Sequence, residues 1–323
     1  MKHHRLHSNV LPIIVLAPLI AIFLSLYPSY RNDIEEAYAH LDSIERQVIE
    51  TKCGSIEVVV QGQGQSVLLS HGIAGGVDQG LGLVKSYLGD EYKVIIPSRF
   101  GYLGTPMPSN ATPASQADAF ACLLDSLNMN RITVVANSAG GTSALQMALR
   151  HPERVQALIL ISSAAPTVRK PITLPPKPVI QFVFSSDFLM WLITTHLQSV
   201  MRPAVGVPNG YQLSDSEQAI VSNVIRSVLP IRPRTAGFMF DMFISNTDMD
   251  RHPEEYSVEK IQVPTLIIHA LDDPLAKYEN AAALAARIPN VELFSVRSGG
   301  HLLLRSEAAV REEIARFLQA LEE

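Results

Sequence analysis

Residues 132–145, Ile-Thr-Val-Val-Ala-Asn-Ser-Ala-Gly-Gly-Thr-Ser-Ala-Leu, constrain the fold more than any other stretch. A β-branched apolar run stops at Asn137, a lone serine follows, and small residues lead into a helical pattern. Ser138 is therefore expected on a sharp strand-to-helix turn, the layout of a nucleophile elbow. Such a turn strains its central residue and brings the chain two positions either side too close for a large side chain. Ala136 and Gly140 satisfy that demand. The common form is G-x-S-x-G; here alanine replaces the first glycine and is still small enough. Taken alone, the same residues also describe a serine capping a helix, so the rest of the chain must decide.

From Cys53 onward, short β-rich runs alternate with helical patterns. Strands are expected at 56–60, 66–69, 93–96, 132–135, 157–161, 265–268 and 291–296. Helices are expected around 79–89, 114–128, 140–150, 277–287 and 306–321. The Gly62-Gln63-Gly64 turn suggests that the first two strands form a hairpin. This alternation implies an α/β fold: a mainly parallel sheet with helices on both faces and a mixed edge. It is interrupted once. Residues 166–256 open with prolines at 166, 171, 175, 176 and 178, continue through Phe182, Phe184, Phe188 and Trp191 at helical spacing, and carry no clear strand signal. They read as a helical cap inserted into a core of residues 53–165 and 257–323, with Trp191 in the cap's own core.

A serine hydroxyl is a poor nucleophile near neutral pH and needs a base within hydrogen-bond reach, itself held by a third group. In an open α/β sheet, partners belong at the carboxyl ends of later strands. After the run 265–268 comes His269-Ala270-Leu271-Asp272-Asp273-Pro274, which offers two carboxylates. After 291–296 comes Ser298-Gly299-Gly300-His301, a histidine on a glycine-flanked loop. Ser70-His71-Gly72-Ile73-Ala74-Gly75-Gly76 follows an earlier strand, and there the backbone N–H of Ile73, with that of Ala139, is positioned to receive a developing oxyanion. His71 reads as a shaper of that loop and His269 as the end of its strand.

Ser-His-Gly after an early strand, Pro97-Ser98-Arg99-Phe100-Gly101-Tyr102 after the next, Ala-Asn-Ser-Ala-Gly-Gly at the elbow, Leu-Asp-Asp-Pro late and Gly-Gly-His near the end occur in one order. Together they resemble the α/β-hydrolase superfamily, in its serine-nucleophile, helical-cap branch. The resemblance implies a Ser138, Asp273, His301 triad, with Asp273 preferred to Asp272 by its distance from the strand end. It also implies hydrolysis of an ester-like bond of a small acyl substrate, with no cofactor and no metal. Asn-Ser-x-Gly-Gly is similar as well to carbon–carbon bond hydrolases of the meta-cleavage type, although Leu302, Leu303 and Leu304 follow His301 where those enzymes usually carry an aromatic residue. A slow-turnover ligand receptor on the same fold is the third expectation.

The formal net charge of -5, with no long basic run, gives nucleic-acid binding little support. Residues 10–27 form an uncharged apolar run, preceded by Lys2 and Arg5 and followed by Arg31 and then Asp33, Glu35 and Glu36. As a helix the run would span roughly 27 Å, near the thickness of a bilayer's hydrocarbon core. Residues 1–30 are therefore expected to be a signal anchor, with the catalytic domain on the non-cytoplasmic side, or secreted if the segment is cleaved. Ile34, Tyr38, Leu41, Ile44 and Val48 at helical spacing predict an amphipathic stalk helix over 31–52. The two cysteines, Cys53 and Cys122, show no metal-ligand spacing, and Cys122 reads as a buried thiol.

Overall fold

The computed structural model describes residues 10–167 and 175–321, with only the backbone considered at 10–20 and 22. Eight strands form one sheet: β1 (Gln47–Thr51), β2 (Gly54–Gln61), β3 (Ser66–Ser70), β4 (Lys93–Pro97), β5 (Ile132–Asn137), β6 (Val155–Ile161), β7 (Thr265–Ala270) and β8 (Val291–Val296). Their order is β1-β2-β4-β3-β5-β6-β7-β8. All neighbours from β4 to β8 run parallel, whereas β1 and β2 pair antiparallel with each other and β2 with β4. The helices are α1 (Val10–Ser43), α2 (Val77–Leu83), α3 (Pro113–Ser126), α4 (Gly141–Arg150), α5 (Lys177–Phe184), α6 (Asp187–His196), α7 (Gln198–Met201), α8 (Asp215–Arg226), α9 (Thr235–Phe240), α10 (Asn246–Arg251), α11 (Tyr278–Ala285) and α12 (Glu307–Gln319).

The central strands read as continuous apolar runs because both sheet faces are covered. Leu68, Val134, Leu158, Leu160 and Ile267 pack with Phe120, Leu124 and Leu145 of α3 and α4 on one face. Their neighbours Val67, Leu69, Val135, Ile159 and Ile268 turn to the other, against Ile314, Phe317 and Leu318 of α12. Each such side chain, fully buried, contributes about 1.5–3 kcal/mol of transfer free energy. The result is a rigid platform whose parallel strands all end on the same side.

Among the described residues of 166–256, helices α5 to α10 and short turns account for the regular structure, and this helical layer between β6 and β7 is called the cap. Trp191 is buried within it, among Met190, Leu229 and Ile231. Helix α1 packs against the cap: Ile34 joins that cluster, the Trp191 indole donates to Asp33 at 2.8 Å, and the Tyr38 hydroxyl donates to Asp187 at 3.2 Å. Among the described residues no single helix is long and apolar enough to cross a membrane; α5 and α6 pass that test of length and composition only together, bent by 84°. The basic leader with Lys2 and Arg5, and Pro171 of the proline-rich segment, lie outside the described residues.

Three expectations are corrected. The stalk helix ends at Ser43, and Val48 lies instead on the exposed edge strand β1. Helical spacing of apolar residues extends past the helix end because an edge strand with one wet face can show the same few apolar positions. The hairpin partner of β2 is β1, not β3: Gly62 and Gly64, at φ 79° and 91°, do turn the chain, but β3 crosses to the far side of β4. β3 is apolar on both faces and belongs in the sheet interior, while the more polar β1 suits an edge. Finally, Cys122 is not a free thiol. The β1–β2 turn carries Cys53 to α3, where the two cysteines form a disulfide with Cα atoms 6.0 Å apart. Their pairing depends on β1, whose short polar sequence hides the turn.

Candidate active site

Ser138 sits where β5 ends and a tight turn leads into α4. Its φ is 51°, in the left-handed region that a side chain adopts only under constraint. The constraint is visible two residues on. A Cβ at Gly140 would lie 2.2 Å from the Ser70 carbonyl oxygen, so glycine is required for the turn to press against the end of β3. Ala136, fully buried, occupies the matching position before the serine. The Ala164 N–H donates to the Ser138 carbonyl at 2.9 Å and ties the turn to the end of β6.

Three strand-end residues converge. The Ser138 Oγ lies 2.9 Å from the His301 Nε2, and the His301 Nδ1 lies 2.8 Å from the Asp273 Oδ2. Asp272, the rejected alternative, accepts instead from the Gly299 and Gly300 N–H groups and so shapes the loop that presents His301. Asp273 is itself held: its Oδ1 accepts from the Leu275 and Ala276 N–H groups at 2.8 and 3.0 Å, and the His269 Nε2 stands 3.4 Å from its Oδ2. Burial by itself would raise the Asp273 carboxyl, but hydrogen bonds from His269 and His301 outweigh it and hold the group well below the usual carboxylate range. It is therefore a fixed negative charge facing the imidazole. The cap reaches this histidine too. The Gly206 carbonyl accepts from the His301 N–H at 3.0 Å, and a Cβ at Gly206 would come within 2.1 Å of the His301 Cβ.

The loop at 71–76 closes over the elbow, for a Cβ at Gly72 would lie 3.2 Å from the Ser138 Cβ. On either side of Ile73 the backbone is pinned: the Gly72 N–H donates to Gln79 at 2.7 Å and the Ala74 N–H to the Tyr102 hydroxyl at 3.1 Å. Ile73 is half-buried between them, and Ala139 is buried beside Ser138. His71 donates from Nδ1 to the Gly72 carbonyl and accepts at Nε2 from the Arg99 N–H. Burial, then the Arg99 charge, push it far below the ordinary histidine value, so it remains a neutral imidazole in that tautomer. Arg99 is fully buried and forms a two-pronged ion pair with Asp241, at 2.8 and 2.5 Å, while also donating to the Gly72 carbonyl. Tyr102 bridges the Ala74 N–H and Asp241. A second buried pair, Arg234 with Asp78 at 2.7 Å, donates to the Gly75 carbonyl at 2.6 Å. Asp241 and Arg234 both belong to the cap, so cap side chains set the backbone of the loop beside Ser138.

The sequence-predicted residues Ser138, Asp273 and His301 thus come within hydrogen-bond distance, and Ile73 and Ala139 lie on the two backbone segments that flank the serine. No sequence motif announces the buried pairings of Arg99 with Asp241 and of Arg234 with Asp78, although Arg99 stands in the Pro97–Tyr102 motif. A signal existed for Asp241: it is the lone charge in Ala236-Gly-Phe-Met-Phe-Asp-Met-Phe-Ile, an apolar run where a carboxylate must find a buried partner. Among the described residues, the ligand-type side chains grouped closely enough for a metal are the exposed His252, Glu254 and Glu255, none of which is Ser138, Asp273 or His301.

Comparisons with known proteins agree with this architecture. The family model described as alpha/beta hydrolase fold matches residues 65–189, and that of TAP-like protein matches 244–323. The chain is 31% identical over 198 residues to a poly(3-hydroxyalkanoate) depolymerase of Ectopseudomonas oleovorans, a match spanning 61% of the chain and 64% of that enzyme, under two thirds of its length. It is 28% identical over 247 residues to a 2-hydroxymuconate semialdehyde hydrolase of Pseudomonas putida, covering 75% of the chain and 82% of that enzyme. Among solved structures, an alpha/beta hydrolase fold protein from Nakamurella multipartita superposes with a TM-score of 0.69 at 26% identity, covering 85% of this chain and 99% of that one.

Proposed function

We propose, for a chain that belongs to the α/β-hydrolase superfamily and is a hydrolase, cleavage of an ester-like acyl bond through an acyl-enzyme on Ser138. The observation that carries this reading is the unbroken hydrogen-bonded series from the Ser138 hydroxyl through His301 to Asp273. His301 accepts the Ser138 proton at Nε2 as the oxygen attacks the substrate carbonyl. Asp273 holds the Nδ1 proton in place and stabilises the imidazolium that forms. The Ile73 and Ala139 N–H groups receive the oxyanion, each such donor typically contributing about 3–4 kcal/mol in the transition state. The tetrahedral intermediate collapses as the ester C–O bond breaks, and the leaving alcohol takes the proton back from His301. Water, deprotonated by the same nitrogen, then releases the acid. The neutral His71 and the buried Arg99 hold the loop without supplying a competing base.

The likeness to the 2-hydroxymuconate semialdehyde hydrolase favours a second reading, hydrolysis of a carbon–carbon bond next to a carbonyl by the same residues. A panel of p-nitrophenyl esters of graded chain length beside a vinylogous diketone separates the two. The ester reading expects turnover of the esters that Ser138→Ala abolishes; turnover of the diketone alone overturns it.

We further propose that the catalytic domain lies outside the cytoplasm behind an N-terminal anchor. It is supported by the apolar run at 10–27 with basic residues before it, and by the Cys53–Cys122 disulfide, a bond that persists in oxidising compartments. Protease protection of intact cells tests it: digestion of the domain from outside is expected, and protection overturns it.

A further inference from the structure

Helix α5 reads Lys-Pro-Val-Ile-Gln-Phe-Val-Phe, yet none of its residues is buried. Val183 and Phe184 lean toward the α1–α6 cluster, whereas Val179 and Phe182 face outward, 54% and 70% exposed. On α1, Phe23 and Leu24 are exposed at 41% and 63%, with Tyr27 beside them. The Phe23 ring packs edge-on against Phe188 at 5.0 Å, so this part of α1 lies against the start of α6, the helix that follows α5. Several large apolar side chains exposed on neighbouring elements are the kind of surface that marks an interaction site when they form one patch.

From this combination, and resting on the anchor reading above, we infer that α5 and the 23–27 stretch of α1 form one apolar face seated in the surface of a lipid bilayer, so that the cap rests on the membrane that holds the anchor. Three observations commit the occupant to lipid. The same helix α1 continues toward its amino end through the uncharged run that reaches back to residue 10. Cap and α1 are fastened together by the Trp191–Asp33 and Tyr38–Asp187 hydrogen bonds, so the cap is held near the point where that run leaves the domain. Charge agrees: from 155 to 186 the sequence contains no Asp or Glu, while Arg169, Lys170 and Lys177 precede or open α5, a balance suited to anionic headgroups. From Phe23 to Tyr27 the helix rises roughly 6 Å, within the depth to which interfacial helices bury an apolar face. Together with the ester-cleaving reading above, on which this last step rests, the face makes acyl esters dissolved in the bilayer the favoured substrate class.

The full chain reconstituted in vesicles of phosphatidylethanolamine and phosphatidylglycerol tests the face without using activity. Phe182→Trp adds an exposed fluorophore to a protein whose other tryptophan, Trp191, is buried; Val179→Trp serves as an independent second variant. Lipids brominated near the headgroup are expected to quench the added tryptophan in both variants and leave the wild-type signal largely unchanged. Quenching no greater than wild type in both folded variants overturns the face. In a second arm, Val179→Asp with Phe182→Asp is expected to slow hydrolysis of a vesicle-embedded long-chain ester by about tenfold or more, while a water-soluble short-chain ester is cleaved within about twofold of the wild-type rate. Equal rates on the embedded ester overturn the substrate class. If Ser138→Ala instead retained activity, the hydrolase reading would fail while the quenching result stood.

Discussion

Asp273 shows how one residue's surroundings divide its work. One carboxylate oxygen accepts two backbone N–H bonds, which fix the group in space, and the other faces His301 and His269. Because its folded value is depressed, its contribution to stability is present above the unfolded value of 3.8 and is lost as pH falls through the lower folded one. Denaturant unfolding of Asp273→Asn beside wild type is therefore expected to show a stability gap that is full at neutral pH and narrows below pH 3.8. A gap independent of pH would contradict the assignment. The juxtaposition of Ser138, His301 and Asp273 was legible because each stands near a strand end in a short local pattern of adjacent positions. His269 as a second partner of Asp273 was not, since its role arises from the path of the turn that follows β7.

At the scale of elements, the cap is part of the site. Gly206 has a φ of 82° and leaves no room for a side chain against His301, so Gly206→Ala is expected to displace the imidazole. Its kcat on a short aryl ester, assayed well below the lowered melting temperature that the strained alanine brings, should fall at least about tenfold; an unchanged kcat would show that the cap does not hold His301. The Arg99–Asp241 pair makes a different prediction. Removing one partner strands the other charge in the interior, and Asp241→Ala is expected to lose about 3–5 kcal/mol of unfolding free energy, read by urea denaturation. Asp241 also begins a π-helical turn between α9 and α10 and is buried there. Strand and helix positions in the core followed from periodicity, whereas these cap contacts join residues more than a hundred positions apart, 99 with 241 and 78 with 234, and sequence spacing carries no trace of them.

Across the whole molecule, the sheet supplies a rigid end, the cap and loop close over it, and α1 fastens the cap. The Cys53–Cys122 bond ties the edge hairpin to α3 across 69 residues. A cross-link of that span stabilises by about 4 kcal/mol in the chain-entropy account, so reduction or Cys53→Ser is expected to lower the melting temperature while Ser138 chemistry in the folded protein persists. The central claim is that Ser138 is the nucleophile, activated by His301. Its most direct measurement is peptide mapping by mass spectrometry after treatment of the folded protein with a fluorophosphonate. One adduct is expected, on the peptide containing Ser138, absent from Ser138→Ala and strongly reduced in His301→Ala; a folded protein that takes no adduct, or carries it on another residue, would contradict the account.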